Sequence, residues 1–331
     1  MKLFCFLIFG LLQQVHSKDC HEVRMALDLG STAIKMAVAE VDFCNSKISD
    51  VFVRVSRRID FQGDLLKSGK KQLSRKIMWK GLQIISEMFN LAKPYKVERS
   101  LAVGTSVFRR AINANEFTNK LQKWFDLSFL VLSPKQKGKL SFEAVRSTVQ
   151  TPRKDIAVWE IGAGSMQFSS MIDEDPDPFT FEAILASISF KNMFINKVQM
   201  KNSMTISSPN PIIREQGELG LLIVEEFSNR VPPVLRQKLA DSRTRVYGIG
   251  GVHSYSVSNQ VNMPVYGLES VSEALENSYD LSDEDIGGEY AATDVSNLIL
   301  VAGFLNNLNI SQVYSLDISM VNGVLVSNDY W

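Results

Sequence analysis

The feature that most constrains this chain is a local pattern that occurs twice. Residues 25–29 form an apolar, strand-like run, Gly30-Ser31-Thr32 is a turn, and 33–38 is a second strand-like run. The same order returns at 156–160, Gly162-Ala163-Gly164-Ser165 and 166–172. A strand reverses within a few residues only where the backbone is free to adopt unusual dihedrals, which glycine allows. Each copy opens a stretch that alternates β-prone and helical patterns. Two such openings imply an internal duplication into two α/β lobes.

The remaining periodicity fills in those lobes. Strands are expected at 51–55, 100–104, 127–132, 179–185, 246–249 and 313–316, where short apolar runs lie between turn formers. Apolar residues at Ile77, Met78, Leu82, Ile84, Ile85, Met88 and Leu91 make a helical stripe, ended by Lys93-Pro94. Helices are also expected at 107–125, 134–149, 211–227, 233–239 and 295–308, with Pro134 and Pro233 suited to first turns. Residues 61–71 read only as a polar, glycine-containing stretch. Residues 18–133 are assigned to lobe I and 134–312 to lobe II, with 313–331 available to return to lobe I.

Three glycine turns follow strands, and two have an acid just before them: Asp28-Leu29-Gly30-Ser31-Thr32 and Glu160-Ile161-Gly162-Ala163-Gly164-Ser165, with Gly248-Ile249-Gly250-Gly251 as the third. Backbone N–H groups at such turns can converge on an anion, and the hydroxyls of Ser31, Thr32 and Ser165 add donors. Asp28 and Glu160 are the residues to hold a divalent cation or orient a water. Each turn alone is most simply structural; three in order point to phosphate.

The opening Ala26-Leu27-Asp28-Leu29-Gly30-Ser31-Thr32 resembles the first phosphate loop of the superfamily of actin, sugar kinases and heat-shock chaperones. Residues 103–117, from Val103-Gly104-Thr105 through Arg109, Ala111 and Asn113 to Phe117, resemble the Ala-Thr-x-x-x-Arg-x-Ala-x-Asn-x-x-x-Phe segment of the exopolyphosphatase and guanosine pentaphosphate phosphatase (Ppx/GppA) family. Residues 133–139 fall at that family's acidic loop, Glu160–Ser165 at its Asp-x-Gly-Gly-Gly-Ser, Gly250-Gly251 at its Gly-Gly-Thr, and 315–325 at its closing segment. The resemblance implies two actin-like, ribonuclease H-like lobes with a phosphate-binding cleft between them. It implies hydrolysis of the terminal phosphoanhydride of inorganic polyphosphate, with Mg²⁺ or another divalent cation at Asp28 and Glu160, and allows a homodimer. Gly30, Ser31, Thr32, Arg109, Gly162, Ala163, Gly164, Ser165, Gly250 and Gly251 would contact phosphate.

The departures from the family pattern fall on the chemistry. Relatives carry a glutamate, the general base, where this chain has Lys137, flanked by Lys135 and Lys139. Ammonium near phosphate stays charged and accepts no proton. Glu160, Ala163, Val252, Val321 and Asn322 also replace family residues. The lysine triplet is either a strengthened anion site or a row of solvated charges. Two rivals follow: a binding protein that has lost hydrolysis, and a sugar kinase or ATPase, against which 109–117 argues. His253 and Trp159 read as packing residues.

The first residues are of another kind. Met1-Lys2, an apolar run at 3–12, and Val15-His16-Ser17 give the three parts of a secretory signal peptide at 1–17. Ten apolar residues are too few to span about 30 Å of hydrocarbon, so no stable membrane anchor is expected. Export would place the chain in a periplasm or outside the cell, and would allow a disulfide. A hairpin register centred on residue 32 sets Cys20 opposite Cys44, favouring that bond over two free thiols. Lys plus Arg and Asp plus Glu each number 36, so no global field draws the chain to nucleic acid.

Overall fold

The computed structural model describes residues 20–172 and 175–331. The signal-peptide assignment at 1–17 lies outside them. Strand β1 (His21–Leu29) pairs antiparallel with β2 (Ala33–Asp42), which pairs with β3 (Lys47–Arg58); β4 (Arg99–Gly104) and β5 (Ser128–Val131) extend the other side in parallel, in the order β3-β2-β1-β4-β5. The second sheet repeats the plan. Its meander β6 (Ile156–Ile161), β7 (Met166–Ser170) and β8 (Phe179–Ala183) is extended by β9 (Arg245–Ile249) and β11 (Val313–Leu316) in parallel, and β10 (Val265–Tyr266) adds an antiparallel edge. The two sheets correspond strand for strand in order and direction of pairing, apart from that edge. Such repetition is what the duplicated hairpins require.

Each sheet carries its own apolar layer. On the first, the helix Arg75–Ala92 is capped by Ser74, whose Oγ accepts from Ile77 N at 3.2 Å, and buries Met78, Leu82, Ile85 and Met88 at helical spacing. Those side chains join Met25, Leu27, Met36 and Phe117. On the second, the helix Ala291–Asn307 is buried on nearly every side, between Trp159 and Phe168 of the sheet and Val224 beyond. The stretch expected as one helix at 107–125 is two, Ser106–Arg110 and Ala114–Phe125, because Asn113 turns away to exchange side-chain hydrogen bonds with Leu73 N and O at 2.9 Å each. Phe61–Lys67, expected as irregular, is a helix capped by Asp60.

Two helices join the sheets. Pro134–Arg146 places Leu140 in the layer beneath the first sheet and Phe142 and Val145 in a layer against Ile156, Val158 and Ile249 of the second. Met320–Val326 packs across it, with Met320, Val321, Val324 and Leu325 against Ala26, Ala37 and Val103. They approach so closely that a methyl group added at Gly323 would lie 1.8 Å from Leu140 O. The chain thus returns to the first sheet only after β11, so residues 313–316 belong with the second lobe and not with the returning segment.

The first hairpin is one residue tighter than the register centred on residue 32. Gly30 N donates to Ala33 O at 2.9 Å, leaving a two-residue loop, and Asp28 faces Lys35 rather than residue 36. Cys20 and Cys44 still meet in a disulfide with Cα atoms 5.5 Å apart, one step beyond the pairing of Cys20 O with Phe43 N. Among the described residues no helix is long and apolar enough to cross a membrane.

Candidate functional site

Both hairpins end at the same place. Gly162 N donates to Ser165 O at 3.0 Å, the counterpart of the bond at Gly30. A methyl group added at Gly164 would lie 3.4 Å from Ser31 Oγ and 3.9 Å from Ser106 Oγ, so the tips face each other across a narrow gap. The third turn lies under the second. Gly250 has φ +89°, a left-handed conformation that favours glycine, and a side chain there would meet Ile161 O at 3.0 Å. The helix Ser187–Lys197, which the sequence pattern did not show, starts at this turn: Ser187 N donates to Gly162 O and Ile188 N to Ala163 O.

Beside the second turn opens a cavity of about 530 Å³, walled by Gln62, Ser106, Arg109 and Arg110 from the first lobe and by Ala163, Gly164 and Ser165 from the second. Arg109 bridges it. Its Nη1 donates to Leu132 O at 2.7 Å and its Nη2 to Glu182 Oε1 of β8 at 3.1 Å. Arg110 donates to Ser106 O and to Gln62 Oε1.

Beneath the turns lies a compact group of charges. Glu160, on the last turn-side residues of β6, is bound through both oxygens. Oε1 lies 3.2 Å from Lys137 Nζ; Oε2 accepts from Ser141 Oγ at 2.6 Å and Gln167 Nε2 at 2.9 Å. Lys137 is only 5% exposed and Glu160 8%. Removing both charges from water is costly, and the added hydrogen bonds on Oε2 are what such a pair needs. Asp28, at the same end of β1, is also buried, and its Oδ1 has no hydrogen-bond partner. Burial pushes its carboxyl up to about 6; Lys35 across the strand pair opposes the shift, Glu160 adds to it and Lys137 opposes it.

The lysine triplet is divided by helix geometry. Steps of two residues turn about 200° around a helix axis, so Lys135 and Lys139 share a side that Lys137 does not. The outer pair meets Asp177, at 3.7 and 3.1 Å, and Lys139 also meets Asp329 at 2.9 Å. They stand as paired surface charges away from Glu160, so the three do not form one anion site. Lys137 is driven inward, helped by Gly138, where a side chain would strike Thr180 of β8. His253 is in the core: its Nδ1 shares a hydrogen bond of 2.6 Å with Tyr266 Oη, its ring packs on Trp159, and burial pushes its pKa down to about 3. Trp159 is fully buried against Phe168.

The Mg²⁺ expected at Asp28 and Glu160 does not suit these donors. Hard divalent cations need several free oxygens. Both Glu160 oxygens are already taken, one of them by the Lys137 ammonium.

Lys35, Ser141 and Gln167 were not singled out from the sequence. Ser141 follows Lys137 by four residues on one helix face, and Gln167 is the cross-strand partner of Glu160. Both are legible once the register is known.

Comparison with known proteins fits this architecture. Residues 47–204 match the model of the Ppx/GppA phosphatase family. A putative exopolyphosphatase of Haemophilus influenzae is 24% identical over 186 residues, 56% of this chain and 55% of that protein. Exopolyphosphatase 1 of Mycobacterium tuberculosis is 24% identical over 158 residues, 46% of this chain and 43% of the relative. The matched stretches thus span about half the length of these curated relatives. Among solved structures, the Ppx/GppA family member of Aquifex aeolicus is similar at TM-score 0.73 and 19% identity, covering 92% of this chain and 97% of that one. An exopolyphosphatase of Cytophaga hutchinsonii is similar at TM-score 0.70 and 13% identity, covering 92% and 96%. These structural likenesses establish the shared two-lobed, actin-like fold.

Proposed function

We propose that this chain is a divergent member of the Ppx/GppA phosphatase family, whose model matches residues 47–204, and that it hydrolyses terminal phosphoanhydride bonds, with inorganic polyphosphate as substrate, in the cleft between its lobes. The observation that carries this is the close approach of the two glycine turns, Gly164 against Ser31, beside a cavity lined by Ala163, Gly164 and Ser165 of the second turn and by Arg109 and Arg110. Turn amides and guanidinium groups are the donors that hold phosphate oxygens and take up the charge spreading over them during transfer. Arg109 reaches phosphate by leaving Glu182. Export, as read from 1–17, suits polyphosphate better than a cytoplasmic nucleotide.

The water needs a base, and Lys137 cannot serve. Asp28 supplies the carboxylate. Its Oδ1 has no partner, and a pKa near neutrality suits proton acceptance. Water attacks the terminal phosphorus in line, its proton passes to Asp28, the anhydride P–O bond breaks, and orthophosphate and a chain one unit shorter result. Glu160 acts through Lys137, holding the ammonium in place.

A second reading, binding without hydrolysis, is favoured by the Lys137–Glu160 pair itself, which occupies the family's base position. Orthophosphate release from polyphosphate separates the two. Turnover by the wild type that is abolished in Asp28→Asn supports hydrolysis. Tight binding with no release, and release gained only in Lys137→Glu, would establish the binding reading instead.

A further inference from the structure

We infer that the Lys137 ammonium is a built-in replacement for the divalent cation, so that this cleft takes a phosphate chain without Mg²⁺. The inference rests on the phosphate-cleft reading for its ligand, but on the charge cluster alone for its geometry.

A divalent cation in such a cleft does two things: it neutralises acidic side chains that would repel phosphate, and it offers positive charge to the phosphate oxygens. Here Lys137 lies 3.2 Å from Glu160 Oε1, and its charge also acts on Asp28. The ammonium therefore occupies Glu160, one of the two carboxylates that would otherwise hold the ion. Its position is fixed from every side. The helix Pro134–Arg146 starts on a capping box at Ser133 and Gln136, which sets the first turn. Gly138 lets that turn press against β7 and β8, and Ser141 and Gln167 fix the carboxylate that Lys137 binds. Lys35 adds a second cation facing Asp28.

The balance of charge agrees. Asp28 and Glu160 oppose Lys35 and Lys137, two against two, so the cluster is neutral without a metal when both acids are ionised. Adding a dication there would set it against two ammonium groups. The same lysine that removes the family's base thus also removes the need for the family's ion.

The test is Mn²⁺ binding, followed by electron paramagnetic resonance on the purified protein with no phosphate present, Mn²⁺ standing for Mg²⁺. The wild type is expected to bind no Mn²⁺ that Glu160→Gln abolishes, and Lys137→Met, which keeps the volume and frees the carboxylates, is expected to gain one site. A wild-type Mn²⁺ site lost in Glu160→Gln overturns the inference. Should Lys137→Met fail to fold, wild type against Asp28→Asn and Glu160→Gln decides it. Calorimetry with tripolyphosphate gives a second readout: affinity in EDTA within about twofold of that in Mg²⁺ supports the inference, and a loss beyond about tenfold overturns it. If tripolyphosphate binds under neither condition, the phosphate reading fails, and the Mn²⁺ result still decides the inference.

Discussion

Asp28 offers the sharpest test of the charge cluster, through the pH dependence of stability. Its carboxyl titrates at about 6 in the folded protein against 3.8 for the free group, first because of burial and then through the opposed charges of Lys35, Glu160 and Lys137. The folded state therefore holds a proton that the unfolded chain has released across pH 3.8 to 6. Stability falls as pH rises through that window, by about 1.4 kcal/mol per pH unit, and levels off above it. The total is about 3 kcal/mol, present below the unfolded value and lost by neutral pH. Asp28→Asn keeps the shape and removes the titration. The variant is expected to match the wild type near pH 4 and to exceed it by about 3 kcal/mol at pH 7, measured by urea denaturation at a series of pH values. A difference between the two proteins that stays flat from pH 4 to 7, or that grows in the wild type's favour, refutes the burial argument. Phosphate release, if Asp28 is the base, falls as pH drops below about 6 and is absent in Asp28→Asn at every pH.

Glu182→Gln, which frees Arg109 from its partner across the cavity, should raise tripolyphosphate affinity by roughly two- to fivefold, the worth of a partly exposed pair, and calorimetry reads it. Gly323→Ala forces the two crossing helices apart at Leu140 and should cost about 3 kcal/mol or more, seen as a lower urea midpoint. Cys44→Ser removes the bond to Cys20 and should cost about 3 kcal/mol, an effect that a reducing agent reproduces in the wild type and not in the variant.

The duplicated hairpins made the two-sheet plan legible because a strand, a glycine turn and an apolar strand leave few alternatives. The glycine turns were legible for the same reason, each following an apolar run, whereas Arg109, on the helix Ser106–Arg110, was legible only through the family resemblance of residues 103–117. What the sequence hid was side-chain direction. The one-residue error in the first hairpin set Met36, not Lys35, opposite Asp28, since a slip of one residue moves every side chain to the other face. Short helices were missed where tertiary contacts hold them. Ser187–Lys197 has little apolar periodicity and starts where the backbone of Gly162 and Ala163 receives it. Residues 252–257, given no secondary structure from the sequence, form a π-helical turn with Val252, His253 and Val257 buried.

Lys137 shows why a substitution read in one dimension is only half understood. In the sequence it is the middle of three lysines, and the three invite a single explanation. The helix assigns them two fates, because positions two apart face opposite ways. Lys135 and Lys139 go to Asp177 and the surface, and Lys137 goes to Glu160 and the interior. A buried ammonium cannot persist without an acid beside it, so Lys137 and Glu160 act together, and neither can be replaced singly without leaving a charge unpaired. It follows that Lys137→Glu alone, which would place two carboxylates in contact, should restore a base at the cost of stability, whereas Lys137→Glu with Glu160→Gln should restore it without that cost. Urea midpoints of the single and double variants, with the wild type, test that coupling. Simple additivity of the two effects would show that the pair does not act as one unit.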